Sequence, residues 1–447
     1  MFLKKIIVVA IALCLLLSLG NAMAVEYVAQ IGNTKYTTLQ SAFDAATPGA
    51  MVEVIADIND SATLESGKSL TLNVGSHTIT SSLEDTISNK GNLIITGSGT
   101  ISSTGKGKGA LVAYPGASTI LNGCTYVASD WYSIKNMGTM EISSPTVVET
   151  KVVSTPSSGA SLIANGWYGN KPTDRDTEYS GKPAKLTIYS GTFDGGMNTI
   201  KNDDGGELLI ESGTFTNTVG PAVLNWNVAT INGGNFHSHA SVLANGYLNP
   251  LKDKGIFTIN GGFFSAYDSS GNNGALFGYG LGSKNGGHIV INDGTFCGIA
   301  TPVTNSTMDV NFAMLINHEP QSAFVGKDNT YARVTDQSNA SFYFVGTSKE
   351  VSGQVDSFIK DGDVVTVLQG SVALEDVDKV VTVKNEGGTV VVNGKTVAQG
   401  ETYVTSSAQP STTLPRTGDT TPLSLAVTLM LLSLAGAGML IWRKRLN

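Results

Sequence analysis

Arginine, histidine and cysteine are scarce in this chain of 447 residues, and each scarcity narrows what it can do. Before a terminal motif at 414–418, the only arginines are Arg175 and Arg333, so a lyase base of the arginine type has two candidate positions. Of the five histidines, His237 and His239 flank a corner after Phe236. Neither has a carboxylate or cysteine at ligand spacing, so no metal and no other cofactor is expected. Of the three cysteines, Cys14 falls in an apolar leader. Cys124 and Cys297 are too few for a disulfide framework. Positive charge is also short: 28 Lys and Arg face 36 Asp and Glu, a balance of −8.

What the chain does have begins at its two ends. Lys4 and Lys5 precede an apolar run over 6–19, and Ala22-Met23-Ala24 places small residues where a signal peptidase cuts. Residues 1–24 therefore read as a secretory signal peptide, too short in its apolar part to anchor in a bilayer. At the other end stands Leu414-Pro415-Arg416-Thr417-Gly418, then an apolar stretch over 422–442, then Arg443, Lys444 and Arg445. The stretch is long enough to span a bilayer, with its cations left on the cytoplasmic side. The order of these three elements in 414–447 resembles the sorting signal of sortase-anchored Gram-positive surface proteins. That resemblance implies sortase and peptidoglycan as partners, with Leu414, Pro415, Thr417 and Gly418 recognised and Thr417 as the attachment point. The membrane is then only a transient stop, and the location is the cell wall, facing outward. Losing Lys4, Lys5, Arg443, Lys444, Arg445 and Asp419 moves the charge to about −12. Such a body does not suit nucleic acid as a partner.

Between the signals the sequence repeats itself. One phrase occurs as Leu186-Thr-Ile188 with Gly191-Thr-Phe193, and as Leu208-Leu-Ile210 with Gly213-Thr-Phe215. It returns around Ile231 and Phe236, Ile259 and Phe264, and Ile291 and Phe296, with weaker upstream copies ending at Leu72, Ile95, Ile120 and Ile142. A second phrase places an asparagine at Asn136, Asn165, Asn202, Asn225 and Asn245. Apolar and polar residues alternate, then turn at Gly or Asn, which predicts strands joined by tight corners. One circuit cannot bury its own inner face, so stacked circuits must stabilise each other. Reading the 46 residues from Ile142 to Ile188 as two circuits gives about ten in all. On that count Cys124 and Cys297 lie about 34 Å apart, beyond disulfide reach, as two mostly buried free thiols. A β-sandwich of hairpins is the competing architecture.

The phrase resembles the single-stranded right-handed parallel β-helix shared by pectin-active enzymes, phage tailspikes and many adhesins. The resemblance implies an all-β solenoid over 61–312, and its handedness comes from the resemblance alone. Residues 25–60 read as an N-terminal cap with a first strand. In it Leu39, Ala42, Phe43 and Ala46 share a helical face behind Thr37 or Thr38. Residues 313–404 form a small β-rich region, either a degenerate second copy of the opening unit or an unrelated cap. Val351, Val355, Phe358 and Ile359 share a helical face there. Residues 405–413 are a spacer.

No catalytic residue is assigned. Asn202-Asp203-Asp204 is the nearest match to polygalacturonase-like sites, but no Arg-Ile-Lys exists and the two aspartates read as a turn. Arg175 sits among Asp174, Asp176 and Glu178 on an insertion. The insertions 169–184, 247–255 and 265–287 should overhang the stack. Trp167, Tyr168, Trp226, Tyr247 and Tyr279 recur near one corner and could stack on sugar rings. The expectation is a non-catalytic surface protein used in adhesion or in contact with a glycan or host surface. The alternative is a wall-bound polysaccharide lyase or glycoside hydrolase, which convergent carboxylates in one groove would favour.

Overall fold

The computed structural model describes residues 26–406, apart from 144, 151–159, 168–180, 240, 248–252, 280–284, 302 and 304. The expected leader, the expected sorting motif and the apolar stretch at 422–442 lie outside the described residues, as do Tyr168 and Arg175. Among the described residues no helix is long and apolar enough to cross a membrane.

The chain is mostly strand, arranged in long parallel sheets, with a few short helices. The alternating residues stack in register. In one column Ile142 faces Ile188, then Ile210, Ile231, Ile259, Ile291 and Val310 follow in adjacent strands. In a second column Phe193, Phe215, Phe236, Phe264 and Phe296 lie ring on ring, with centroids 4.6–4.9 Å apart. A separate 9-stranded parallel sheet carries the asparagine phrase. These pairings are parallel, as hairpins cannot be. The invariant glycine before each phenylalanine has a steric reason. Gly213 has φ +137°, and a Cβ there would meet its own Phe215 ring at 3.0 Å.

Two features of the register differ from expectation. Ile142 pairs directly with Ile188, so the 46 residues between them are one circuit with long insertions, not two. Asn136 pairs with Asn165, and Asn165 with Asn202, in the same way. Upstream, Leu121 rather than Ile120 occupies the inner column between Ile95 and Ile142. Thr119 then points inward, where Asn89 Nδ2 donates to its hydroxyl at 2.9 Å.

The opening unit is a hairpin of Ala29–Ile31 with Thr34–Tyr36, a helix α1 at Leu39–Ala45, and strand Ala50–Val54. Thr38 caps α1 by accepting from Ser41 N–H, and Leu39, Ala42 and Phe43 are buried. The last strand lies antiparallel to Ala29–Ile31 and parallel to Ser69–Asn73. Residues 330–385 have the same order and pairing. Thr330–Thr335 and Ser341–Gly346 form the hairpin, after a single turn α2 at Ser322–Val325. Helix α3, Ser348–Phe358, follows, capped by Thr347. Val364–Gln369 is then antiparallel to Thr330–Thr335 and parallel to Thr382–Asn385. This region has its own apolar core around Val351, Val355 and Ile359, with Phe358 partly buried against it.

Candidate functional site

The 9-stranded sheet has two buried faces. Its inner face carries a ladder of side-chain amides. Asn136 Nδ2 donates to Asn165 Oδ1 at 2.7 Å, and each amide repeats the bond through Asn202, Asn225 and Asn245 at 2.8–2.9 Å. Their remaining donors reach backbone carbonyls such as Ile256 O, so these buried polar groups are satisfied. The residue before each asparagine points the other way, which brings Lys135, Ala164, Lys201, Leu224 and Ala244 into one column in adjacent strands. A solvated face would be ordinary for lysine, but Lys135 is 0% and Lys201 6% exposed.

What covers that column includes the tryptophans. Trp167 packs with Val112, Met137 and Ala184, and Trp226 with Leu224 and Ala244. They are 3% and 1% exposed, so both rings expected to stack on sugars are buried in this structure. Tyr247 is half-buried and its backbone bridges to Asn285. Tyr279 is 41% exposed, at the end of strand Phe277–Tyr279. The four described aromatics, Trp167, Trp226, Tyr247 and Tyr279, therefore do not form one exposed row. The segment 265–287 also resolves into two parts, a turn over 267–274 and residues after Tyr279, divided by that strand.

The corner after Asn202 holds the charged cluster. The aspartates do sit in a turn, where Gly206 N–H donates to Asp203 O at 3.0 Å, but the turn is buried: Asp203 and Asp204 are 0% exposed and Asp253 is 4% exposed. The backbone explains the burial. Trp167 and Asp204 exchange both N–H···O bonds at 2.9 and 3.0 Å, and Asp253 Oδ1 accepts from Gly205 N–H at 3.3 Å. Trp167 and Asp253 are the flanks of the insertions at 168–180 and 248–252, so one corner pins both.

Lys201 Nζ lies 3.3 Å from Asp203 Oδ1 and 4.2 Å from the centroid of the Trp226 ring. Asp203 Oδ1 also accepts from Asp204 N–H at 3.2 Å. Asp203 Oδ2 receives no hydrogen bond from a described residue. Burial pushes the Asp203 carboxyl up, against the pull of Lys201 and Lys135. Burial also pushes Asp204 up, to about 8, and the charges of Asp203 and Asp253 add to the rise. A hydrogen bond between the carboxyls of Asp204 and Asp253 requires a proton on one of them, and that proton makes Asp204 a buried acid at neutral pH.

Elsewhere, His237 stacks on Tyr267 with ring centroids 4.3 Å apart, and His239 meets the same ring edge-on. Burial and the charge of His239 hold the His237 imidazole below its ordinary range. Among the described residues no group of three His, Cys, Asp or Glu is placed to hold a metal ion. Cys124 and Cys297 are both free. Six pairings separate their strands, about 29 Å at about 4.8 Å per rung. Cys124 is buried, whereas Cys297 is half-buried and more open than expected.

The sequence signal for the buried cluster was available and misread. Lysine twice occupied the slot before an asparagine in the repeat, a slot that elsewhere carries Ala or Leu. No known protein-family model, curated protein or solved structure matches the chain.

Proposed function

We propose that the chain is a peptidoglycan-anchored surface protein of a Gram-positive bacterium, displaying a right-handed parallel β-helix used in adhesion or in contact with a glycan or host surface. The observation that carries the reading is the ordered signal at the C-terminal end: Leu414-Pro415-Arg416-Thr417-Gly418, an apolar span and terminal cations. The leader at 1–24 complements it by sending the body outward. In-register parallel columns of Ile, Phe and Asn support a helical coil of strands as the displayed body, since one such coil buries its inner face only against the next. Sortase joins the Thr417 carbonyl to a peptidoglycan amine, and the residues after it are lost.

The test is fractionation of cells expressing the chain. The parent protein should be released by muramidase digestion and remain in the wall through boiling detergent. Thr417→Ala should move it to the membrane and medium. A Thr417→Ala protein still linked to the wall would refute the attachment. For the ligand, a glycan array probed with residues 25–410 should give retention without turnover, with the exposed Tyr279 as the first aromatic to test.

A second reading, a wall-bound polysaccharide lyase or hydrolase, draws support from the convergence of Asp203, Asp204 and Asp253 beside two lysines. Their burial weighs against it, because a substrate must touch the acid that serves it. Turnover of any glycan that is lost in Asp204→Asn would favour this reading over the first.

A further inference from the structure

One column of the long sheet ends, on its outer face, in a hydroxyl, an imidazole and a carboxylate. His288 opens strand His288–Ile291, Thr307 lies directly opposite it in Thr307–Val310, and Asp309 follows two residues later on the same face. The imidazole uses both of its nitrogens. Nδ1 stands 2.7 Å from Thr307 Oγ1, and Nε2 stands 3.3 Å from Asp309 Oδ2. A carboxylate can only accept, so in the neutral ring it keeps the proton on Nε2 and leaves the Nδ1 lone pair facing the hydroxyl. Cross-strand polar pairs are ordinary on a sheet surface, but two observations set this one apart. Thr307 N–H donates to Gly287 O at 3.0 Å and Asn311 N–H to Ile291 O at 2.7 Å, so the N–H of Met308 turns toward the opposite edge of the strand. No described strand pairs with that edge. A hydroxyl followed by an unpaired backbone N–H is an arrangement that can hold a developing oxyanion. The groups are also reachable: Thr307 and Asp309 are exposed and His288 is half-buried, unlike the aspartates after Asn202.

We propose that Thr307, His288 and Asp309 form a hydrolytic site for short-chain acyl esters, working through an acyl-threonine. This activity is independent of the wall attachment. Thr307 Oγ1 attacks the ester carbonyl carbon and its proton passes to His288 Nδ1, while Met308 N–H faces the oxygen that gains charge. The C–O bond to the alcohol breaks, and the alcohol leaves with the proton from Nδ1. Water then gives a proton to the same nitrogen and attacks the acyl carbon. The bond to Thr307 Oγ1 breaks, the hydroxyl recovers its proton, and the carboxylic acid departs. Ester and water become alcohol and acid, with nothing oxidised or reduced. Asp309 is a positioning residue, because it acts through His288. Ile256 beside His288 and Val290 beside Asp309, both half-buried on the same outer face, give apolar contact to a short acyl chain.

The test is hydrolysis of p-nitrophenyl acetate by the full-length protein, with its peptide masses read during turnover. The expected result is saturable turnover with an acetyl group on the peptide that carries Thr307. Thr307→Val and His288→Ala should each lower kcat/KM about 100-fold, and the two together no further, since residues acting as a unit are not additive. Thr307→Ser, which retains a hydroxyl, should still accumulate the acetyl adduct. Asp309→Asn should lower kcat with KM unchanged, a split that a merely structural role would not produce. Circular dichroism checks that each variant folds, and all three side chains lie on an outer face. Turnover that persists in a folded Thr307→Val protein would overturn the proposal, because a lone surface imidazole hydrolyses this ester without the hydroxyl. Turnover no faster than that of free imidazole, or acetyl groups on lysine alone, would overturn it as well.

Discussion

Phe263 and Phe264 are neighbours in sequence and opposites in structure, which makes them a test of the stacked columns. Phe264 is fully buried, with the rings of Phe236 and Phe296 each 4.9 Å from its own. Phe263 lies on the outer side of the same strand and is 40% exposed. Truncating a buried phenylalanine removes its transfer energy and leaves a cavity, at a cost of about 3–5 kcal/mol. Phe264→Ala should sit at the upper end of that range, because each stacked partner contributes about 0.5–1.5 kcal/mol beyond burial. Phe263→Ala should cost under about 1 kcal/mol, as surface substitutions do. The assay is urea unfolding of residues 26–406, followed by both circular dichroism and intrinsic fluorescence. Two probes are needed because long stacked arrays lose cooperativity, and a split transition would need separate analysis of each step. Equal costs for the two variants, or a cost below about 1 kcal/mol for Phe264→Ala, would refute the continuous interior column.

Asn225→Ala should cost about 1–3 kcal/mol in the same assay, since it leaves the buried Asn245 Oδ1 without its donor while Asn202 Nδ2 keeps Gly206 O and Val228 O as acceptors. In thiol alkylation of the folded protein Cys297 should react well before Cys124. Burial pushes the Cys124 thiol up to about 12, and its Sγ donates to Thr96 O at 3.4 Å. Equal rates would place Cys124 at the surface. The raised carboxyl of Asp204 gives stability that is complete below its unfolded value of 3.8 and fades as pH climbs through about 8. Asp204→Asn, which mimics the protonated form, should therefore flatten the fall in urea midpoint between about pH 4 and 8. An unchanged slope would assign that pH dependence to other groups.

The parts of the fold legible in the chain are those set by local pattern. Ile188, Ile210 and Ile231 keep their offsets to Gly and Phe, because a strand has a period of two and the corner needs a left-handed residue. Thr38 and the face of Leu39, Ala42 and Phe43 were legible for the same reason, since a cap and a 3.6-residue period are local facts. Ile120 was misread because Ile120 and Leu121 are both apolar, and alternation cannot choose between them when Thr119 sits inside. The choice belongs to the irregularity between Gly123 and Thr125, where Cys124 adopts φ +64°. The spacing from Ile142 to Ile188 was misread because an insertion and a missing circuit lengthen a sequence alike.

By itself, then, the sequence determined the strands, the corners and the inward columns of Ile, Phe and Asn, because each depends on residues close together along the chain. Only the tertiary structure decided what lies over the outer face of the asparagine sheet. Polar residues on the outward side of a strand are normally solvated, and nothing local marks them otherwise. Lys135, Lys201, Asp203 and Asp204 are buried because chain from circuits some twenty to fifty residues away, including Trp167, Trp226 and Asp253, closes over them. That closure is a long-range contact, and it buries the turn after Asn202 together with its lysines and aspartates.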